Sequence, residues 1–329
     1  MESAPTISPP IALARRKARA DLALAVGPPI SQMRGVMEFA LTLVSPNADA
    51  LRAADTALAA AGLAVKSCVS LGPHALDLKI ESAELAALRA DALAAVADLP
   101  VDVCAQPVQG RRKRLFLADM DSTIINVECL DELADFAGLK AEIAAITERA
   151  MRGELAFEGA LRERVGMLKG LADSALQRCY DERVRLNPGA ATLVRTMVAQ
   201  GVRCVLVSGG FTFFTRRVAD LAGFHANRAN SFVISGGALT GEVGMPILGR
   251  EAKLAALNEE ALTLGISPEQ ALTVGDGAND LDMIKACGLG VAYRAKPMVA
   301  AQAQARVDYA DLTALLYFQG YRADEFVPA

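Results

Sequence analysis

Three apolar segments that each run straight into small or acidic residues constrain this 329-residue chain more than any other feature: FLADMDST at 116–123, LVSGG at 206–210 and TVGDGAND at 273–280. An ordinary buried strand end has no reason to gather carboxylates. The segments alternate with helical patterns, VRCVLVSGG with a helix after it and ALTVGDG with one from Ala278, which predicts a parallel sheet with helices on both faces. Ligands of such sheets sit at the carboxyl ends of the strands. Asp119, Asp121, Asp276 and Asp280 are therefore expected to converge at one sheet edge. Their repulsion in a partly dry site is costly unless a cation offsets it. Carboxylates and water with no thiolate or imidazole nearby select a hard ion, most naturally Mg2+.

Phosphoryl transfer supplies the reason for that cation, because the transferred group is itself anionic and catalysis consists largely of positioning it and offsetting its charge. Asp119 is the expected nucleophile, forming an acyl phosphate that water then hydrolyses. Asp121, two residues on, suits general acid–base work on the leaving oxygen and the attacking water. Ser208 and the Gly209 amide suit the phosphoryl oxygens, since glycine lets backbone N–H groups approach an anion. Lys253 would supply further positive charge.

Residues 130 to 190 interrupt the alternation with a strandless amphipathic stretch, which predicts a helical insertion. Placed after the first strand, it would cap the sheet edge and exclude water from it. Residues 36–108 read by period as strand, helix, strand, strand, helix, strand, the ferredoxin-like split order. That pattern looks like an ACT-type small-molecule domain, with dimerisation or packing as the equal alternative to an amino-acid effector site. The expected division is an arm at 1–35, this domain at 36–108, and a phosphatase domain at 109–329 with its cap at about 130–190. Between them QGRRKR, 109–114, reads as a solvated basic linker. In the arm, Arg15, Arg16, Lys17 and Arg19 follow the apolar IAL, the wrong order for a secretory signal, so an extended or disordered tail is expected.

A formal charge of −4 from 34 basic and 38 acidic residues offers no field for nucleic acid or an anionic membrane. No stretch approaches the ~18 apolar residues of a spanning helix. Six scattered cysteines without a Cys-x-x-Cys pair point to buried thiols in a reducing compartment, hence to the cytoplasm. Two histidines, His74 and His225, are too few and too far apart for a histidine-rich zinc site. The expected partner is a small molecule, with a second copy of the chain as the other candidate.

DMDST, VSGG, a lysine and GDGAND, in that order, resemble the four signature motifs of the haloacid dehalogenase superfamily, and the DxDx(T) strand end is that of its phosphatases. The resemblance implies Asp119 as nucleophile, Asp121 as acid and base, Ser208 and Lys253 as phosphate ligands, and Asp276 as metal ligand. It also puts Asp119 and the main-chain carbonyl of Asp121 on the metal, with Asp280 supporting. Within the superfamily the chain resembles the phosphoserine phosphatases. DMDSTIINVECLDELA places Glu128 nine residues after the nucleophile, and MRGELAFEGALRERV supplies Met151, Phe157 and Arg164. In that family the glutamate meets the substrate ammonium, the arginine its carboxylate, and the methionine and phenylalanine shield the pocket. An arginine fork and a carboxylate together read an amino-acid backbone. Asn279 is a further expected substrate contact. Taken singly, Met151 and Phe157 would be core and Glu128 and Arg164 solvated charges; the shared spacing assigns them. The competing expectations are a relative acting on another phosphorylated metabolite such as phosphohomoserine, or a non-enzymatic amino-acid sensor.

Overall fold

The computed structural model describes residues 37–151 and 154–329. The expected arm at 1–35 lies outside the described residues, and so does the side chain of Met151.

Six parallel strands form the larger sheet: β5 (Leu115–Ala118), β6 (Arg203–Phe211), β7 (Ala226–Asn230), β10 (Ala271–Gly275), β11 (Leu289–Tyr293) and β12 (Ala305–Val307), in the order β12-β11-β10-β5-β6-β7. The central strands β5, β10 and β11 are buried along their whole length because both faces are covered, whereas the edge strand β7, ANRAN, is polar and only half-buried. Phe116 and Ala118 of β5 face one helical layer, while Leu115 and Leu117 face the other, formed partly by Ala256, Leu257 and Ala261 of the helix Arg250–Thr263. The chain leaves β5 toward β6 on one side and later returns to β10 on the other. That reversal opens a crevice at the carboxyl ends of β5 and β10, where open sheets bind ligands.

Four helices, Cys129–Phe136, Lys140–Met151, Phe157–Met167 and Ser174–Arg183, occupy the stretch expected of the cap, as the three-and-four period predicts, and a further helix, Ala190–Ala199, leads into β6. One element beside them departs from the expected strand-then-helix theme. Strands β8 (Phe232–Ser235) and β9 (Ala238–Val243) form a hairpin turned by Gly236 and Gly237, at φ +59° and +79°, the geometry that matches strand twist. It packs on the cap, with Gly170 N–H donating to Leu239 O and Leu239 N–H to Leu171 O.

The N-terminal sheet contains β1 (Met37–Val44), β2 (Val65–Gly72), β3 (Ala75–Ser82) and β4 (Asp102–Pro107), in the antiparallel order β2-β3-β1-β4. With helices Ala48–Ala60 and Leu85–Ala95 this is the ferredoxin-like arrangement. Asn47 starts the first helix by accepting from the Asp49 and Ala50 amides, satisfying two of the donors a helix start leaves open.

The basic run after β4 is not the solvated linker expected of a charge run. Arg111 is only 13% exposed at its side chain and forks onto both oxygens of Asp77 at 2.8 Å, with further bonds to Thr42 Oγ1 and Phe318 O. Arg112 pairs with Glu325, and Lys113 is buried with its ammonium on Glu269 O. Arg111 ties the N-terminal sheet to the C-terminal segment, and Arg112 and Lys113 reach residues more than 150 positions away, which local composition does not reveal. The C-terminal ALLYFQGY is the other half of this seam: buried Gln319 accepts from the Lys113 amide, and Gln106 donates to Phe318 O. Arg111→Ala should lower the unfolding free energy by about 3 kcal/mol, since it strands a buried partner. Arg111→Lys should recover only part of that, because an ammonium lacks the fork. Urea unfolding of the three proteins is the measurement, and equal midpoints would contradict the assignment.

Candidate active site

Asp119 ends β5. Its amide donates to Val274 O of β10 at 3.0 Å, and its own carboxylate accepts from the Met120 amide at 2.8 Å. A tight turn follows, Met120–Ile124, with Ser122 at φ +53°, a left-handed conformation that costs a non-glycine residue energy. The turn brings Asp121 back beside the strand ends. Its Oδ1 accepts from the Cys129 amide at 3.0 Å, at the start of the first cap helix, and its Oδ2 from Ser208 Oγ at 3.3 Å. Ser208 in turn accepts from the Gly210 amide at 2.9 Å.

Carboxylate oxygens of Asp119, Asp276 and Asp280 lie within 4.8 Å of one another. Asp280 is buried, with the Gly277 amide on Oδ2 and the Lys253 ammonium on Oδ1. Lys253 also stands 2.7 Å from Asp119 Oδ1 and is itself buried. Burial alone would lower the Lys253 pKa, but Asp119 and Asp280 outweigh it and hold the ammonium above its ordinary value. The carboxylates are strained in the opposite sense. Burial, then the Asp280 charge, pushes Asp119 well above the usual range, and the same two causes raise Asp276 to about 6. Burial and Glu128 raise Asp121 to about 7. A hard divalent cation fits this set, because the donors are oxygens alone and a cation would offset both the burial and the neighbouring carboxylate charges that raise the pKa values.

A cavity of about 350 Å³ opens over these groups, lined by Asp119, Asp121, Ser208, Gly209, Asp276 and Asn279 from the sheet side. Glu128, Phe157 and Arg164 line it from the cap. Phe157 lies over the β6 end: a Cβ built on Gly209 would meet its Cζ at 3.3 Å. Arg164 Nε is buried with no hydrogen-bond partner among the described residues, as is Asp131 Oδ1 nearby. Orphaned buried groups of this kind call for a ligand. Burial lowers the Arg164 pKa, while the Asp131, Glu128 and Asp121 charges oppose that shift.

The structure thus gathers the residues singled out by the motifs, except that Lys253 and Asp280 are buried outside the cavity lining and Met151 lies outside the described side chains. Sequence reasoning passed over four contributors. Thr123 donates to Asp276 Oδ1 at 3.0 Å, and buried Asn230 holds the loop after Ser208 by donating to Gly209 O and accepting from the Leu248 amide. Asp131 and Lys296 line the cavity. Thr123 stood inside the quoted DMDST, and Lys296 stands just past the fourth apolar strand, GLGVAY; Asn230 left no local signal.

A parallel sheet in this order, an aspartate pair on its first strand end and a helical cap above them define a haloacid dehalogenase-like hydrolase. The profile of that family matches residues 116–285, and the chain belongs to it. Among its relatives, the phosphoserine phosphatase of Polaromonas sp. is 50% identical over 208 residues, covering 62% of this chain and 88% of that protein. A solved phospho-aspartyl intermediate analogue of phosphoserine phosphatase is 36% identical, with TM-score 0.59, covering 63% of this chain and 99% of that one. A hydrolase of the same family from Salmonella enterica serovar Typhi reaches TM-score 0.75 at 29% identity and covers 86% of this chain and 98% of its own. That cover exceeds what residues 109–329 alone can supply, so the likeness extends into the N-terminal sheet.

Proposed function

We propose that this chain hydrolyses O-phospho-L-serine to L-serine and phosphate, the last step of serine biosynthesis, through a phosphoaspartate on Asp119. The observation that carries the reading is the pairing inside one cavity of an aspartate pair with Arg164, whose buried Nε lacks a partner among the described residues, and Glu128. An arginine fork suits the substrate carboxylate and a glutamate its ammonium, which argues against a sugar phosphate.

In this mechanism Asp119 attacks phosphorus while the bond to the serine oxygen breaks, and Asp121 delivers its proton to that oxygen. Asp121 then takes a proton from the water that attacks the acyl phosphate, releasing phosphate and restoring Asp119. A pKa pushed up to about 7 suits both halves of that task near neutrality. The Cys129 amide and Ser208 hold the Asp121 carboxyl, Ser208 and the Gly209 segment face the phosphoryl oxygens, and Lys253 offsets charge on Asp119. Asn279 contacts the substrate, while Phe157 with Met151 shields it from water.

Mg2+ is the proposed ion, with Asp119, Asp276 and the Asp121 carbonyl as its ligands and Asp280 in support; when bound it offsets the charge of nucleophile and phosphate. Residues 109–329 act as the phosphatase domain in this reading, with the cap at about 130–190. The N-terminal sheet, in which β2 pairs with β3 alone, suits an ACT-like domain at 36–108 with an amino-acid effector and a homodimer. Among the described residues no helix is long and apolar enough to cross a membrane. Six free cysteines, five of them buried, suit a reducing cytoplasm.

Phosphate release from O-phospho-L-serine should depend on added Mg2+ and stop with EDTA, with sugar phosphates far slower. Cleavage of an aryl phosphate alone, equally metal-dependent, would leave the chemistry standing and reject the substrate.

A further inference from the structure

The charge balance of the cavity leaves one cation without a task. Five carboxylates line it, from Asp119, Asp121, Glu128, Asp131 and Asp276, against the two cations Arg164 and Lys296. Arg164 sits on the cap side, where the Glu128 and Asp131 charges reach it. Lys253 is buried behind the wall and committed to Asp119 and Asp280. Lys296 has neither an ion pair nor a side-chain hydrogen bond among the described residues.

The backbone around Lys296 is as fixed as its side chain is free. Its amide donates to Asp276 O at 3.2 Å, which anchors it on the sheet side of the cavity. Pro297 follows and opens a helical turn, Pro297–Ala300, that Lys296 caps. Two residues earlier Arg294 takes φ +44°, a conformation non-glycine residues rarely adopt and one that clusters where a site demands it. A lysine on such a base swings a strongly hydrated point charge on a four-carbon stem.

We infer that Lys296 is a specificity-determining residue that binds the phosphoryl group of the incoming substrate and of the departing phosphate, at the opposite end of the cavity from Arg164. Phosphoserine carries a net charge of about −2 near neutrality and must enter a cavity whose charged lining is mostly carboxylate. An uncommitted ammonium on the sheet side draws the dianionic end toward Asp119 and leaves the amino-acid end to the cap. The inference rests on the phosphatase reading above.

The test uses the Mg2+-loaded full chain with Lys296→Met and Lys296→Arg. Lys296→Met should raise KM for phosphoserine and Ki for inorganic phosphate about tenfold, the scale of one charge-assisted bond, with kcat little changed because ground and transition states lose the contact alike. Ki for L-serine, which lacks the phosphate, should stay within twofold. Lys296→Arg should restore most of the phosphate affinity, and the salt dependence of KM should be shallower in the Met variant. An unchanged phosphate Ki, or equal losses for phosphate and serine, would overturn the inference. If the wild-type protein cleaves neither phosphoserine nor an aryl phosphate, the function reading fails. Calorimetric titration of inorganic phosphate into wild type and Lys296→Met then still decides the Lys296 assignment: a tenfold weaker affinity upholds it and equal affinity rejects it.

Discussion

Asp119→Asn is expected to abolish phosphate release from phosphoserine, by roughly 10⁴-fold or more, the scale on which losing a covalent nucleophile acts. The amide keeps the size and the bond to the Met120 amide but cannot form an acyl phosphate. The same variant should not lose stability without metal. Folding raises the pKa of Asp119 chiefly through burial and then through Asp280, so the folded protein binds that proton more tightly than the unfolded chain. Stability of the EDTA-treated wild type should therefore fall as pH rises from roughly 3.9, the unfolded carboxylate value, through the higher folded values, which for Asp276 and Asp121 are about 6 and about 7. The Asn variant should show a flatter profile in the same window. Release assays and thermal melts between pH 4 and 8 read both halves. Residual turnover within tenfold of wild type would remove Asp119 from the nucleophile's place.

Arg164→Ala carries the second large effect, a loss in kcat/KM for phosphoserine of about 10²- to 10³-fold, as expected for truncating one side of a buried charged pair. The loss should nearly vanish for phosphoethanolamine, which has no carboxylate for the guanidinium to meet. Equal losses on both substrates would mean that Arg164 supports the cap fold and not the carboxylate. Glu128→Gln has a different signature. Its charge is the second cause, after burial, of the raised Asp121 pKa, so its removal lets Asp121 lose the proton at lower pH. The alkaline limb of the rate profile should move down along with the weaker ammonium contact.

These three substitutions probe parts of the protein that were legible in the sequence; other parts were not. The Asp119–Asp121 pair and GDGAND could be placed at one edge from their strands alone, because a parallel sheet puts every carboxyl end on the same side. The cap helices and the βαββαβ order of the N-terminal sheet were likewise legible in hydrophobic period, which local sequence carries directly. The β8–β9 hairpin was not: FVIS is four residues long, and its partner ALTGEV contains a glycine, so neither run shows a period long enough to read.

Chain chemistry by itself determined the reaction class, since carboxylates gathered at strand ends without thiol or imidazole admit few chemistries. The tertiary structure decided which charges are free to act. Lys253 is buried between two aspartates, one of them 134 positions earlier in the chain, Arg111 is spent on Asp77 and Phe318, and Lys296 alone among these cations stands uncommitted in the cavity. In a linear sequence each of them is one more positive side chain. Desolvation and partnership are properties of three-dimensional neighbours, and the neighbours come from strands that meet only when both sheets close.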